Sequence, residues 1–180
     1  MLYAIGEVDL GPQTVLSAGV QTQRIRSTTN MAGVPRYKDG GDIGLSRSTY
    51  LDAAWDRFNW DTTRVFADLE HRFGQGWTAK VSANYLTADS NLKYAGAYGA
   101  IDRQTGLGSR LMGGAYKFDN TQASVDAYVS GPIQLFGRRH ELLLGGNAQR
   151  TTSEQYTGMF TPALNVPVNV FDRDPHGVPE

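Results

Sequence analysis

The sequence predicts an all-β protein: antiparallel up-and-down strands, about six of them, forming part of a larger transmembrane β-barrel. Three observations lead there. Segments with apolar side chains at every second position recur along the chain, the period of a strand with two unlike faces. These segments pair through tight turns at Gly11-Pro12-Gln13, Gly74-Gln75-Gly76 and Leu135-Phe136-Gly137-Arg138-Arg139, and between pairs run long polar stretches from about Ser27 to Trp60, Ala88 to Asn120 and Ser153 onward. In an antiparallel meander that spacing puts every short turn at one end and every long loop at the other, as in barrels of the bacterial outer membrane. Finally, no apolar run approaches the ~20 residues of a spanning helix, and 21 glycines favour turns and bends over helix.

The first hairpin is read as Leu2–Leu10 with Thr14–Arg26. Ala4, Val8, Leu10, Leu16, Ala18 and Val20 make its apolar face, while Tyr3 and Ile5 fall on the polar side. The second runs from Asp61 to Phe73 and from Trp77 to Thr87. Thr63, Val65, Ala67 and Leu69 oppose Thr62, Arg64, Asp68 and Glu70, with Phe66 the apolar exception. Its return strand is the clearest in the chain: Trp77, Ala79, Val81, Ala83 and Tyr85 alternate with Thr78, Lys80, Ser82 and Asn84. At ~3.3 Å per residue and a ~45° tilt, a strand of that length rises roughly 25 Å, the height of the apolar band of an outer membrane. The third hairpin covers Thr121–Gly131 and His140–Arg150. Ala123, Val125, Ala127 and Val129 share a face, and so do Leu142, Leu144, Gly146 and Ala148; Leu143 breaks the pattern.

Many of these apolar positions are Ala or Gly. A soluble sandwich fills its inner face with large interlocking side chains. Lipid requires no interlocking, and a wet lumen accommodates the Arg64, Asp68, Glu70, Lys80 and Asp126 side chains of the opposite face, which are read as a solvated wall network. Six strands do not close a barrel, since bacterial barrels begin at eight. The first residues do not form a secretory signal. Prolines 162, 167, 175 and 179 crowd the last residues, and the chain is therefore expected to be an interior piece of a longer one, with poor stability alone because its sheet margins are unpaired.

Charge is balanced, with 17 basic and 18 acidic residues, so no field argues for nucleic acid. There is no cysteine, hence no disulfide framework or thiolate metal site. His71, His140 and His176 have no zinc-like spacing, and no protein-bound metal or cofactor is expected. Ser90-Asn91-Leu92-Lys93 matches S-x-x-K without the elements that accompany it in a serine acyl-enzyme, Gly44-Leu45-Ser46-Arg47-Ser48 lacks the closing glycine of a nucleophile elbow, and Gly106-Leu107-Gly108 lies outside a βαβ unit. No enzyme is read from them.

Several stretches resemble TonB-dependent outer-membrane receptors for ferric siderophores, the hydroxamate and pyoverdine types above all. They are Gly33-Val34-Pro35-Arg36-Tyr37 with Asp39-Gly40, Val65-Phe66-Ala67-Asp68-Leu69-Glu70-His71-Arg72-Phe73, Asp102-Arg103-Gln104-Thr105-Gly106 and Phe136-Gly137-Arg138-Arg139-His140-Glu141-Leu142. The resemblance implies a bacterial outer-membrane location in contact with lipid, and a barrel of about 22 strands plugged by an N-terminal domain. Residues 1–180 would form one partial barrel domain, without the plug and the C-terminal strands. It further implies capture of a ferric siderophore by extracellular loops and lumen residues, with uptake driven by the TonB energy-transducing complex through the plug region.

The ligand-binding candidates lie on the long loops. Tyr37, Tyr50, Trp55 and Trp60 stand among Arg36, Lys38, Arg47 and Arg57 in the first; Tyr94, Tyr98, Arg103 and Arg110 stand in the second. Aromatic faces and cations suit a bulky, polar, partly aromatic iron chelate. The residues carried forward as the site are Tyr37, Tyr50, Trp55, Trp60, Tyr94 and Arg103. Tyr94-Ala95-Gly96-Ala97-Tyr98-Gly99 is expected to be a flexible loop tip with two exposed phenols. Two alternatives stay open on the residues alone: a soluble β-sandwich binding module using the same aromatics, and a barrel with an active site at its rim.

Overall fold

The structure is a computed structural model, described over residues 1–31, 33–158 and 165–180. It contains six strands: β1 (Leu2–Gly11), β2 (Thr14–Ser27), β3 (Arg57–Arg72), β4 (Thr78–Tyr98), β5 (Arg110–Leu135) and β6 (Arg138–Gly158). They form one sheet in the order β1-β2-β3-β4-β5-β6, so each strand pairs with its neighbours in sequence. Single 3-10 turns occupy Gly74–Gly76 and Pro175–Gly177, and no described helix is long and apolar enough to cross a membrane, which says nothing about strands.

The tight turns form where the chain can reverse its hand. Between β5 and β6 only Phe136 and Gly137 intervene, with φ of 53° and 72°. Positive φ at both central positions defines the type I′ turn, whose twist matches that of the flanking strands. At the second hairpin, Gln75 and Gly76 take φ of 64° and 84°, and Phe73 N–H donates to the Trp77 carbonyl at 2.8 Å to close it.

The chain divides into two units. The first comprises Met1–Arg24, Asp61–Asp89 and Asp119–Glu154, and it holds all three tight turns. In it the period-two reading takes physical form. β1 pairs with β2 so that Ala4 faces Val20, Gly6 faces Ala18 and Val8 faces Leu16, all on one side. Tyr3, Ile5 and Glu7 pair with Gln21, Gly19 and Ser17 on the other. Val65, Leu69, Val81, Tyr85, Val125, Leu142 and Leu144 are exposed, with no second sheet over them among the described residues. The sandwich alternative needs such a layer and is set aside.

The polar face of this unit is a network of pairs. Lys80 Nζ lies 3.5 Å from Asp68, which also accepts from the Ser82 hydroxyl; Arg64 donates to Asn84 at 2.9 Å, and Arg72 reaches Glu70 at 3.1 Å. Phe66, the exception in its strand, stacks on Tyr3 across β2 at 6.0 Å, with the Arg64 guanidinium 5.1 Å from its ring. Gly19 makes this possible, because a Cβ there would come within 2.5 Å of the Phe66 ring. Tyr3, Ile5 and Phe66 therefore form an apolar island on the otherwise polar side.

The second unit comprises Ile25–Trp60, Ser90–Phe118 and Gln155–Glu180. It corrects several sequence boundaries. The second long loop is expected over 88–120, but β4 continues to Tyr98 and β5 begins at Arg110, leaving only 99–109. The third is expected from Ser153, yet β6 runs to Gly158. Within the remainder, Pro162 lies outside the described residues. The core of this unit is Ile43, Leu51, Ala97, Ile101 and Val170, with a second cluster of Ala53, Ala95, Leu111 and Val178. The first loop and the 165–180 segment thus pack on the ends of β4 and β5. Leu111 N–H donates to the Val166 carbonyl at 2.8 Å and Ala53 N–H to the Ala95 carbonyl at 2.7 Å.

Candidate functional site

The loop unit carries the six sequence-predicted residues, but they do not form a single cluster. Tyr37 and Arg103 come together: the guanidinium lies 4.0 Å from the centroid of the phenol ring and is also gripped by Asp39 at 2.9 Å. Trp55 and Trp60 are separated. Trp55 donates its indole N–H to the Val178 carbonyl at 3.0 Å, and the Lys93 ammonium stands 4.9 Å from its ring. Trp60 is inside β3 rather than before it, edge-on to Phe58 at 5.2 Å. Tyr50 donates its hydroxyl to the Ala53 carbonyl at 3.3 Å, which closes the loop locally.

Tyr94 requires a correction. It is not on a flexible tip but in β4, only 9% exposed, with Ala95 and Ala97 beside it fully buried. Its ring stacks on Tyr116 at 6.3 Å, and Tyr116 stacks on Phe118 at 6.2 Å. Ordered packing replaces the expected exposed phenols, because loop residues cover this part of the strand.

A cleft of about 250 Å³ lies in the same unit, lined by Arg57, Asn91, Leu92, Lys93, Ala115, Tyr116, Lys117, Tyr156 and Gly158. Lys117 Nζ is 5.7 Å from the centroid of the Tyr156 ring. Arg57 donates to Asn91 at 3.0 Å, while Glu180 accepts from Lys93 at 2.8 Å and from Arg57 at 3.3 Å. The two cations hold the Glu180 carboxyl below its ordinary value. The cleft therefore combines three cationic side chains with aromatic faces, the chemistry that accepts an anionic or planar polar ligand. Sequence reasoning missed Lys93, Tyr116, Lys117 and Tyr156 as site residues. Nothing local marks them; they meet only because β4, β5 and β6 extend beyond their alternating segments.

Beneath the loops is a buried polar tie. The Thr29 hydroxyl donates to Asp56 at 2.6 Å and is 3.3 Å from Asp52; Met31 N–H donates to Asp52 at 3.0 Å, and Ala95 N–H to Asp56 at 3.0 Å. Gly96 leaves room for this, since a Cβ there would lie 2.2 Å from Asp52 Oδ1. Burial pushes the Asp56 carboxyl up to about 6 against its bonds from Thr29 and Ala95, and it raises Asp52 as well. Arg173 attracts both carboxylates, and burial lowers its own pKa.

Because these native carboxyls hold protons more tightly than in an unfolded chain, where aspartate titrates near 3.9, the folded loops bind more protons across the interval. The stability gained is complete below about pH 4 and is lost as pH rises through about 6. Hydrogen exchange around Thr29 and Met31, corrected for intrinsic rate, is expected to accelerate on the order of 10- to 100-fold from pH 4.5 to pH 7.5. The substitution Asp56→Asn flattens that dependence; a flat profile in the unsubstituted protein contradicts the assignment.

One antiparallel sheet with exposed apolar residues on its alternating strands, reversed by tight turns and connected by long ordered loops, defines a segment of an outer-membrane β-barrel. Comparison with known proteins agrees. The family model described as TonB dependent receptor-like, beta-barrel matches residues 3–178, and the chain belongs to that family. It is 34% identical over 97% of its length to the ferric-pyoverdine M114 receptor PbuA of Pseudomonas sp. (strain M114), and 29% identical over 97% to the ferric-pyoverdine 358 receptor of Pseudomonas putida. In each case it covers 21% of the relative. The crystal structure of the outer-membrane ferripyoverdine receptor of Pseudomonas aeruginosa bound to ferripyoverdine superposes with a TM-score of 0.77 at 28% identity, over 86% of this chain and 21% of that one. The chain spans about a fifth of the length of these relatives. Family membership places it in the bacterial outer membrane.

Proposed function

We propose that residues 1–180 form part of the barrel wall and extracellular loops of a TonB-dependent receptor for a ferric siderophore of the pyoverdine type. The observation that carries this reading is the cleft where Arg57, Lys93 and Lys117 meet Tyr116 and Tyr156 in the loop unit, with the Trp55 ring behind the Lys93 ammonium. Such a surface offers electrostatic attraction and flat contact to a bulky polar chelate, and the iron arrives already wrapped, so no side chain need ligate it. The names of the relatives favour a pyoverdine as the chelator. The chain contributes capture, with no bond-making chemistry. Admission to the periplasm would follow displacement of a plug domain by the TonB complex.

The test uses the gene product in isolated outer membranes or detergent. Ferric pyoverdine is expected to quench tryptophan fluorescence saturably, and Trp55→Ala is expected to weaken binding about tenfold, by removing the ring that holds the Lys93 ammonium at the cleft. Trp55→Phe, which keeps the ring and drops the bond to Val178, should retain most of the affinity. Absence of saturable quenching by any ferric pyoverdine contradicts the reading.

A further inference from the structure

Two loops that the sequence separates by sixty residues meet in a short parallel bridge. Ile101 N–H donates to the Arg36 carbonyl at 2.9 Å, and Lys38 N–H donates to the Ile101 carbonyl at 2.9 Å. Each side is an Asx turn. Asp39 accepts from Gly41 N–H at 2.8 Å, and Asp102 accepts from Gln104 and Thr105 N–H at 3.0 and 3.1 Å. Parallel register then sets Lys38-Asp39 beside Asp102-Arg103, charge order plus-minus against minus-plus. Both cross pairs form: Lys38 reaches Asp102 at 3.3 Å, and Arg103 reaches Asp39 through Nε at 3.1 Å and Nη2 at 2.9 Å. The Arg103 guanidinium also lies over the Tyr37 ring, and Gly41 is small enough to admit it, since a Cβ there would be 2.5 Å from Nη2. The bridge residue Ile101 is itself fully buried in the loop core.

We infer that Tyr37, Asp39 and Arg103 are positioning residues: they latch the first loop to the second so that the pair presents one surface to ligand, and Arg103 acts through Asp39 rather than by touching the ligand. Exposed ion pairs contribute little singly. Here a forked guanidinium bond, a stacked ring and a backbone bridge converge on one contact, and shifting the register by one residue would oppose like charges.

A double-mutant cycle on the gene product in detergent tests this. Asp39→Asn keeps an acceptor for the Gly41 turn while removing the charge, and Arg103→Gln removes its partner. Each is expected to speed amide exchange at Lys38 and Ile101 about three- to tenfold, with the double variant no faster than either single one. Effects that add, or no effect, overturn the latch. The second readout is affinity for ferric pyoverdine, and it rests on the function proposed above. The latch predicts that Asp39→Asn and Arg103→Gln weaken binding equally and without adding. Loss with Arg103→Gln alone makes Arg103 a ligand contact and overturns the positioning role. If the unsubstituted protein binds no ferric siderophore, the proposed function fails while the exchange cycle still decides the latch.

Discussion

Replacing Val125 with arginine is expected to cost about 2–4 kcal/mol and to block assembly in the membrane, whereas Ser124→Arg, one residue away, is expected to be tolerated. Val125 lies in the middle of the alternating stretch of β5 and is 48% exposed, with no protein over it among the described residues. In a barrel wall that exposure is to hydrocarbon, where a guanidinium at mid-depth loses its hydration without gaining a partner. Ser124 belongs to the polar alternate set, where water and charged neighbours receive the same group. The comparison is made by heat-modifiable mobility on gels and by urea unfolding in lipid vesicles. Equal tolerance of both substitutions contradicts the account.

The second large effect is steric. Gly113 of β5 is buried where β4 comes so close that a Cβ would stand 2.2 Å from the Tyr94 carbonyl oxygen and 2.9 Å from Ala95 Cα. These are backbone atoms in a paired strand and do not swing aside. Gly113→Val is expected to destabilise the loop unit by about 3 kcal/mol, the upper part of the range for overpacking. Limited proteolysis should then cleave within 99–109 and 28–56, with the barrel-side hairpins still protected. Gly6→Ala, at a glycine with open space around it, serves as the control and should change little. Unaltered protease resistance in Gly113→Val would show that β4 and β5 do not approach in this way.

What the sequence discloses depends on the contrast between the two faces of a strand. Between Thr78 and Tyr85 one face meets charge and the other apolar side chains, and period two is visible. From Tyr94 to Ala97 the loops cover the strand and every residue is buried, whereas just before it Ser90 and Leu92 are buried between the more open Asn91 and Lys93. A strand covered on both sides loses its alternation, which is why the stretch around Tyr94–Ala97 reads as loop. β6 past Arg150 has the opposite defect: Thr151, Thr152, Ser153 and Glu154 are polar on both faces, so again no contrast marks the strand. The turns were legible because Gly76 and Gly137 sit where positive φ is required.

The site was legible only as composition. Tyr37, Trp55 and Arg103 stand out as aromatics and a cation on loops, but their partners Asp39, Val178 and Lys93 are set by tertiary packing. That packing turns the Tyr37–Arg103 pair into a latch and Tyr94 into part of a stacked column, while it assembles the cleft around Lys117 and Tyr156 from strand ends that carry no local signal.

The central claim is that alternate residues of these strands face lipid and water. The chain contains no cysteine, so single cysteines from Gln122 to Val129 can each carry a nitroxide spin label in bilayers without background. Residues 123, 125, 127 and 129 are expected to collide preferentially with dissolved oxygen, and 122, 124, 126 and 128 with a water-soluble nickel chelate, in strict alternation. A profile without period two, or one in which the nickel chelate reaches Val125 as readily as Ser124, would contradict it.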